Sequence, residues 1–353
     1  MNGVTIFYSW QFDLPKRITR NLIERSLEIA LRRASAKLHV KLVLDQDARE
    51  EHGSPNIPDT IQAKIRNAAV LVADLSIVAQ REKAGALPNG CVSIEWGWAE
   101  ESLGTEALIG VMNTVYGEPR DLPVDIRQNL VRTTYTLAES SSDDELQLER
   151  ERLAAKLAKE VERSIRARFF YGFHDDSPRV VEYLVGCSAD VPSLRSFAPA
   201  DVAQQTGVSE NAAVAVMEDL VRYELATEAP DHGFVIRCLL PFYAHFDPLF
   251  RDWNADQDAV TLAKKLVERR QERVDRLSQE LRMPPRQINP AVFRLLQGFA
   301  DESPEVPGAS PFYRVELIAN VKTRALAEGR AFLPPITPRA QFRLGERPRV
   351  TRG

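Results

Sequence analysis

Glu95 lies in the run ALPNGCVSIEWGWAEESLG at 86–104, between an Asn-Gly turn and the apolar face of a predicted helix, with Trp96 and Trp98 beside it. Other side chains able to touch a ligand are Ser9, Trp10, Gln11 and Phe12, Asp45 and Asp47, Asp74 and Ser76, and Asn89 just ahead of Glu95. Together they form an acidic, hydroxyl-bearing and aromatic set. A Lys-bearing P-loop and a GxGxxG run are both missing, which disfavours phosphoryl transfer and ordinary dinucleotide hydride transfer. There is no HExxH, and the five histidines (His39, His52, His174, His232, His245) have no ligand spacing, so no metal is expected. A lone carboxylate suits cleavage of an N-glycosidic bond whose leaving group needs no proton. Glycosidases with neutral leaving groups use two carboxyls, one of them a proton donor; a pyridinium such as the nicotinamide of NAD+ departs without that donor. What remains is to hold the ribose and stabilise an oxocarbenium-like transition state, which a fixed anion in a partly dry pocket does electrostatically. NAD+ is then a substrate and not a cofactor. Glu95, near a helix N-terminus, is expected to work ionised.

The elements that must position these groups follow from periodicity. β-branched runs at Val4 to Tyr8, Val40 to Leu44, Val70 to Ala73, Leu108 to Met112 and Thr133 to Thr136 predict strands. Between them, Pro15 is expected to open a helix carrying Leu22, Ile23, Leu27, Ala30 and Leu31, and Pro58 to open one with Ile57, Ile61 and Ile65. Alternating strands and helices predict an α/β fold with a five-stranded, flavodoxin-like parallel sheet, whose ligands bind beyond the carboxyl ends of the strands. The loops after Tyr8, Leu44, Ala73 and Met112 then share one rim with Glu95. Each rim residue also has a plainer role open to it. Asp74 can cap a turn, Asp45 and Asp47 can be solvated, Glu95 can be a solvated helix carboxylate, and the aromatic residues can simply pack.

The runs VTIFYSWQFDLPKRITRNLIERSLEIAL, DQDAREEHGSPNIPDTIQAKIRNAAVLVADLSIV, PNGCVSIEWGWA and LIGVMNTVYGEPRDLPVDIR, in this order over residues 1–137, resemble the bacterial TIR-like domains. These are similar in architecture to nucleoside deoxyribosyltransferases, and many hydrolyse NAD+ with a Glu early in the helix after an Asn-Pro-Asn-like turn. The resemblance implies Glu95 as the catalytic carboxylate, and nucleotide contacts from Ser9, Trp10 and the GSPNI loop with Ser54; Phe12, Asp45 and Asn89 are further candidates for nucleotide contact from their places on the rim. It places Asp74 near a ribose. Where the family pattern has two asparagines and ends ELGYA, this chain has Gly90, Cys91 and Trp96. The resemblance further implies an effector of anti-phage defence, switched on by assembly or a sensed ligand. A deoxyribosyltransferase-like activity would instead need a nucleophilic Glu and free-base acceptors.

Four segments are expected: a TIR-like domain at 1–140, a connector helix at 141–170, a regulatory region at 171–332 and a Pro/Arg-rich tail at 333–353. The connector stripe of Leu146, Leu153, Leu157, Val161 and Ile165 can dock on its own domain or pair with a second copy. Residues 197–237 read as helix, turn, helix and a two-stranded wing turning at Asp231, His232 and Gly233. This resembles a winged helix-turn-helix, with a weaker echo where LSQELRMP (277–284) parallels VAQQTGVS (202–209). DNA binding is disfavoured, because the second helix of the unit carries Glu210, Glu218 and Asp219 against a single Arg222. A protein partner or a homo-oligomer is expected there, and the alternative is a non-enzymatic nucleotide sensor coupled to a DNA- or protein-binding winged helix. The formal net charge of −4 excludes a strongly basic, polyanion-binding body. With no apolar run long enough to cross a bilayer, three scattered cysteines and a strand-like N-terminus, a cytoplasmic protein that does not enter membranes is expected.

Overall fold

The computed structural model describes residues 3–46, 57–81, 85–124, 126, 133–187, 195–229, 233–303, 312–313, 315–334 and 336. Ser54 and Asp47, the tip of the 231–232 turn and the Arg-rich tail from 337 lie outside them. The chain divides into two compact units, Met1–Arg168 and Phe169–Gly353.

In the first unit, β1 (Val4–Ser9), β2 (Leu42–Asp45), β3 (Val70–Asp74), β6 (Leu108–Asn113) and β7 (Thr133–Tyr135) form an all-parallel sheet in the order β2-β1-β3-β6-β7. This is the flavodoxin-like order. All five strands stand where the β-branched runs place them. A two-stranded hairpin, β4 (Ala79–Arg81) with β5 (Gly85–Leu87), interrupts the path from β3 to the next helix and has no counterpart in the periodicity.

Helices α1 (Arg20–Leu38), α2 (Ile57–Asn67), α3 (Gly90–Leu103) and α4 (Asp143–Phe169) accompany the sheet. Successive strand side chains point to opposite faces. Phe7, Leu71, Ala73 and Met112 accordingly join Ile61 and Ile65 of α2 and Val92, Trp96 and Ala99 of α3 in one core. On the other face, the Tyr8 and Tyr135 hydroxyls donate to the carbonyls of Arg20 and Ile18 at the start of α1. Pro15 does not open α1 itself. It begins a turn in which Ile18 N–H and the Thr19 hydroxyl both donate to its carbonyl, and the helix starts at Arg20.

The connector stripe is spent inside this unit. Leu153, Leu157, Val161 and Ile165 are fully buried, and α4 is tied to α1 by Ser26 Oγ donating to Arg150 O (3.2 Å) and by the pairs Arg33–Glu151 and Lys37–Glu162 (both 2.7 Å). Arg168 at its far end donates to Ala69 O at 3.0 Å.

The second unit repeats one element order. First come α5 (Ser177–Gly186), a bridging residue Phe197, α6 (Pro199–Thr206), α7 (Glu210–Arg222), β8 (Ala226–Glu228) and β9 (Ile236–Cys238). After α8 (Leu240–Phe250) follow α9 (Ala255–Arg269), β10 (Gln271–Arg273), α10 (Val274–Leu281), α11 (Pro285–Leu295), β11 (Ala300–Glu302), β12 (Glu316–Ala319) and α12 (Val321–Ala327). In both halves the last strand lies centrally, paired with Phe197 and β8 in one and with β10 and β11 in the other. The first helix of each turn ends on a left-handed residue, Gly207 and Arg282, and the next helix begins after Ser209, whose hydroxyl accepts from Ala212 N–H, and after Pro284, which occupies the same position without a capping bond. Since 282 − 207 and 284 − 209 both equal 75, the echo read between 202–209 and 277–284 is in register.

One ion pair ties α8 to α11. Arg286, fully buried, donates through both terminal nitrogens to the two carboxylate oxygens of Asp247, and its guanidinium lies 3.8 Å from the ring centroid of Tyr243. Burial pushes the Asp247 carboxyl up, and Arg286 opposes this. Removing one partner strands the other charge. Arg286→Ala is therefore expected to cost about 3–5 kcal/mol, whereas the joint change Arg286→Met with Asp247→Leu recovers most of that loss. Urea unfolding of the full chain checks this; a single variant as stable as wild type contradicts it.

Candidate functional site

The site is built from the end of β1 outward. β1 and β3 are neighbours, with Ser9 opposite Ala73, yet the chain leaves β1 toward α1 on one face and leaves β3 toward α3 on the other. Two strands whose connections depart to opposite sides open a crevice at their carboxyl ends, the place where open α/β sheets bind ligands. Its walls are the loop after β1 and the loop after β3.

These loops are fastened together. The Gln11 side-chain amide donates to Ser76 O at 3.3 Å across the crevice. The Ser76 backbone N–H donates to Asp74 Oδ1 at 3.1 Å, an Asx-type turn, and the Ser76 hydroxyl accepts from Asn113 N–H at 2.9 Å. Asn113 in turn bonds both backbone groups of Leu137 through its side-chain amide, fixing the end of β6 to the segment after β7.

Asn89, at the start of α3, is fastened to the same frame. Instead of forming a turn with Gly90, it is the N-cap of α3; its Oδ1 accepts from Cys91 N–H (2.8 Å) and Val92 N–H (3.2 Å). Its Nδ2 donates to Asp13 in the loop after β1. The N-terminus of α3 is thereby clamped to that loop. Glu95 is the sixth residue of α3, in its second turn, and is half-buried. The first turn of α3 holds no acidic residue. Since the helix dipole acts within the first turn, the expectation that it holds Glu95 ionised does not apply to this position.

The other residues of the predicted set are dispersed around this frame. Ser9 and Asp74 are enclosed: Ser9 Oγ, Asp74 Oδ2 and Gln11 Oε1 are buried and have no hydrogen-bond partner among the described residues. Burial pushes the Asp74 carboxyl up to about 6, against the opposing pull of Ser76 and Gln11. The same enclosure, together with the Asp74 charge, raises the Tyr8 and Tyr135 phenols. Trp10 is half-buried under the Arg20 guanidinium, 3.4 Å from its ring centroid. Phe12 is 76% exposed. Asp45 is engaged by Lys64 Nζ at 3.0 Å on the far side of β1 from β3. Trp96 packs in the core beneath α3, with Trp98 at its edge. Asp13, Arg20 and Asn113 entered no sequence argument. Arg20 looks like an ordinary helix-surface residue, and only the contact with Trp10 distinguishes it.

Among the described residues no group of three or more His, Cys, Asp or Glu is placed to hold a metal ion, and no helix is long and apolar enough to cross a membrane. No family model, curated protein or solved structure matches the chain.

The Asp74 geometry fixes a pH dependence. An unfolded aspartate titrates near 3.9, so the folded chain holds the extra proton between about 4 and about 6. Stability conferred by that proton is present at acid pH, declines as pH rises through this window, and stays lost above it. Asp74→Asn keeps an acceptor for Ser76 N–H and removes the titration. Wild type is thus expected to lose about 2–3 kcal/mol relative to Asp74→Asn between pH 4 and 6.5, with parallel behaviour above. Urea midpoints across this range test it, and a pH-independent difference contradicts it.

Proposed function

We propose that the first unit is a TIR-like NAD+ glycohydrolase with Glu95 as its essential carboxylate, and that the second unit, a tandem pair of winged helix-turn-helix modules, regulates it. The observation that carries the reading is the position of Glu95: half-buried in the second turn of α3, whose N-terminus the Asn89–Asp13 bond clamps to the crevice between β1 and β3. In the reaction the bond from ribose C1′ to the nicotinamide nitrogen breaks, its electrons neutralise the pyridinium, and neutral nicotinamide leaves. The Glu95 carboxylate stabilises the cation that develops on the ribose. Water adds to C1′ and gives up a proton, so NAD+ and water become nicotinamide, ADP-ribose and H+. A preformed anion needs no reorganisation as the charge develops.

The second unit supports a protein-facing role over a DNA-facing one. Groove-reading helices present Arg, Lys, Asn or Gln to base edges and phosphates. Here α7 exposes Glu210, Asn211 and Glu218, and the two arginines of α11, Arg286 and Arg294, are buried in ion pairs with Asp247 and Asp256. We therefore read the pair as the sensor or assembly element of a cytoplasmic effector, with anti-phage defence as the setting that the TIR resemblance implies.

Purified full-length protein incubated with NAD+ at increasing protein concentration is expected to release nicotinamide, and Glu95→Ala and Glu95→Gln to lower the rate by about a hundredfold or more. Equal release by wild type and both variants overturns the reading. Intact NAD+ together with a salt-dependent, nucleotide-dependent mobility shift on DNA supports the non-enzymatic sensor instead.

A further inference from the structure

We infer that Arg20, laid on the indole of Trp10, anchors the phosphate groups of the ligand, so that the crevice selects a phosphorylated nucleotide over a free nucleoside. The inference rests on the reading of this rim as a nucleotide site. Trp10 is the first residue after β1 and Arg20 the first residue of α1, so the pair closes the two ends of the loop that forms one wall of the crevice.

Three observations set Arg20 apart. Its guanidinium has no hydrogen bond and no carboxylate partner among the described residues, and its Nε is buried without an acceptor. Arg17, in the same loop, is committed to Asp143 at 2.7 Å and Ser141 O at 2.9 Å, and Lys16 beside it is exposed, so Arg20 is the cation of this loop that lies against the indole. The stack on Trp10 also holds the planar fork in one orientation, which lowers the entropy lost when it grips a bidentate oxyanion.

The charge distribution supplies the reason for a cation here. Asp13, Asp74 and Glu95 make the crevice acidic, which suits a ribose and a departing cation but repels phosphate. α1 and α3 leave the sheet on opposite faces, so Arg20 and Glu95 stand on the two sides of the crevice. A ligand with phosphates at one end and a scissile ribose toward the other has a partner for each. The first turn of α1 contains no acidic residue, so its N-terminal dipole adds to the same attraction.

The test uses full-length protein and three probes that need no cleavage: ADP-ribose, ADP and adenosine, titrated by calorimetry. Wild type is expected to bind ADP and ADP-ribose at least about tenfold more tightly than adenosine, and Arg20→Ala to weaken both by about tenfold to a hundredfold while leaving adenosine unchanged. Arg20→Lys, which keeps the charge but not the fork, falls between. If Arg20→Ala does not fold, as judged by circular dichroism, Arg20→Gln keeps a planar group on the indole and carries the comparison. Unchanged ADP affinity in the variants, equal wild-type affinity for ADP and adenosine, or no wild-type binding of any probe overturns the inference. Nicotinamide release separates the two readings. Arg20-dependent ADP binding with intact NAD+ removes the cleavage reading and keeps this one, whereas NAD+ cleavage with an unchanged KM in Arg20→Ala does the reverse.

Discussion

The first unit depends on one constraint of parallel sheets: both faces must be covered, so adjacent strands at the switch point send their connections to opposite sides. β1 feeds α1 and β3 feeds α3, and the crevice between their ends follows from that division. The hydrogen bonds at the rim hold this opening in one shape. Gln11 to Ser76 spans it, Asn89 to Asp13 fixes the helix that carries Glu95, and Asn113 anchors the strand beside it. These bonds are made by side-chain amides, which can donate and accept at once.

Charge is distributed very differently in the two units. At the crevice Asp74 is enclosed with one oxygen unpartnered among the described residues, and burial raises it to about 6 against the pull of its hydrogen bonds. In the second unit the buried charges are matched, Arg286 with Asp247 and Arg294 with Asp256. An unmatched buried carboxylate is costly, and such groups gather where a site must respond to a ligand or a proton. Matched pairs such as Arg286–Asp247 instead bind helix to helix.

The internal repeat adds a contrast. Two halves with the same element order and the same cap positions bury their third helices differently. α7 keeps a solvent-facing edge with Glu210, Asn211 and Glu218, whereas α11 is enclosed along most of its length, with Arg286, Ile288, Asn289, Ala291, Val292, Arg294 and Leu295 all buried. Identical topology therefore offers two different surfaces, and the first half is the one with an exposed helix to present.

The sequence alone determined the five strands, because β-branched runs bounded by turns have few other ways to be buried, and it determined the stripe of α4, because leucines at helical spacing must be covered. It also carried the repeat, through the parallel of LSQELRMP with VAQQTGVS, although the left-handed turn at Arg282 opposite Gly207 is visible only in the structure. It did not determine what α4 docks on, the β4–β5 hairpin, or the start of α1 five residues past Pro15, since a proline can open a turn as readily as a helix. Nor did it separate Ser9 and Asp74, which are enclosed, from Phe12, which stands in solvent, although all three flank the same strands. Enclosure and partnership are long-range properties. Gln11 meets Ser76, Asp13 meets Asn89 and Arg286 meets Asp247 across 65, 76 and 39 positions of chain, and only the folded sheet and helices bring those side chains within bonding distance.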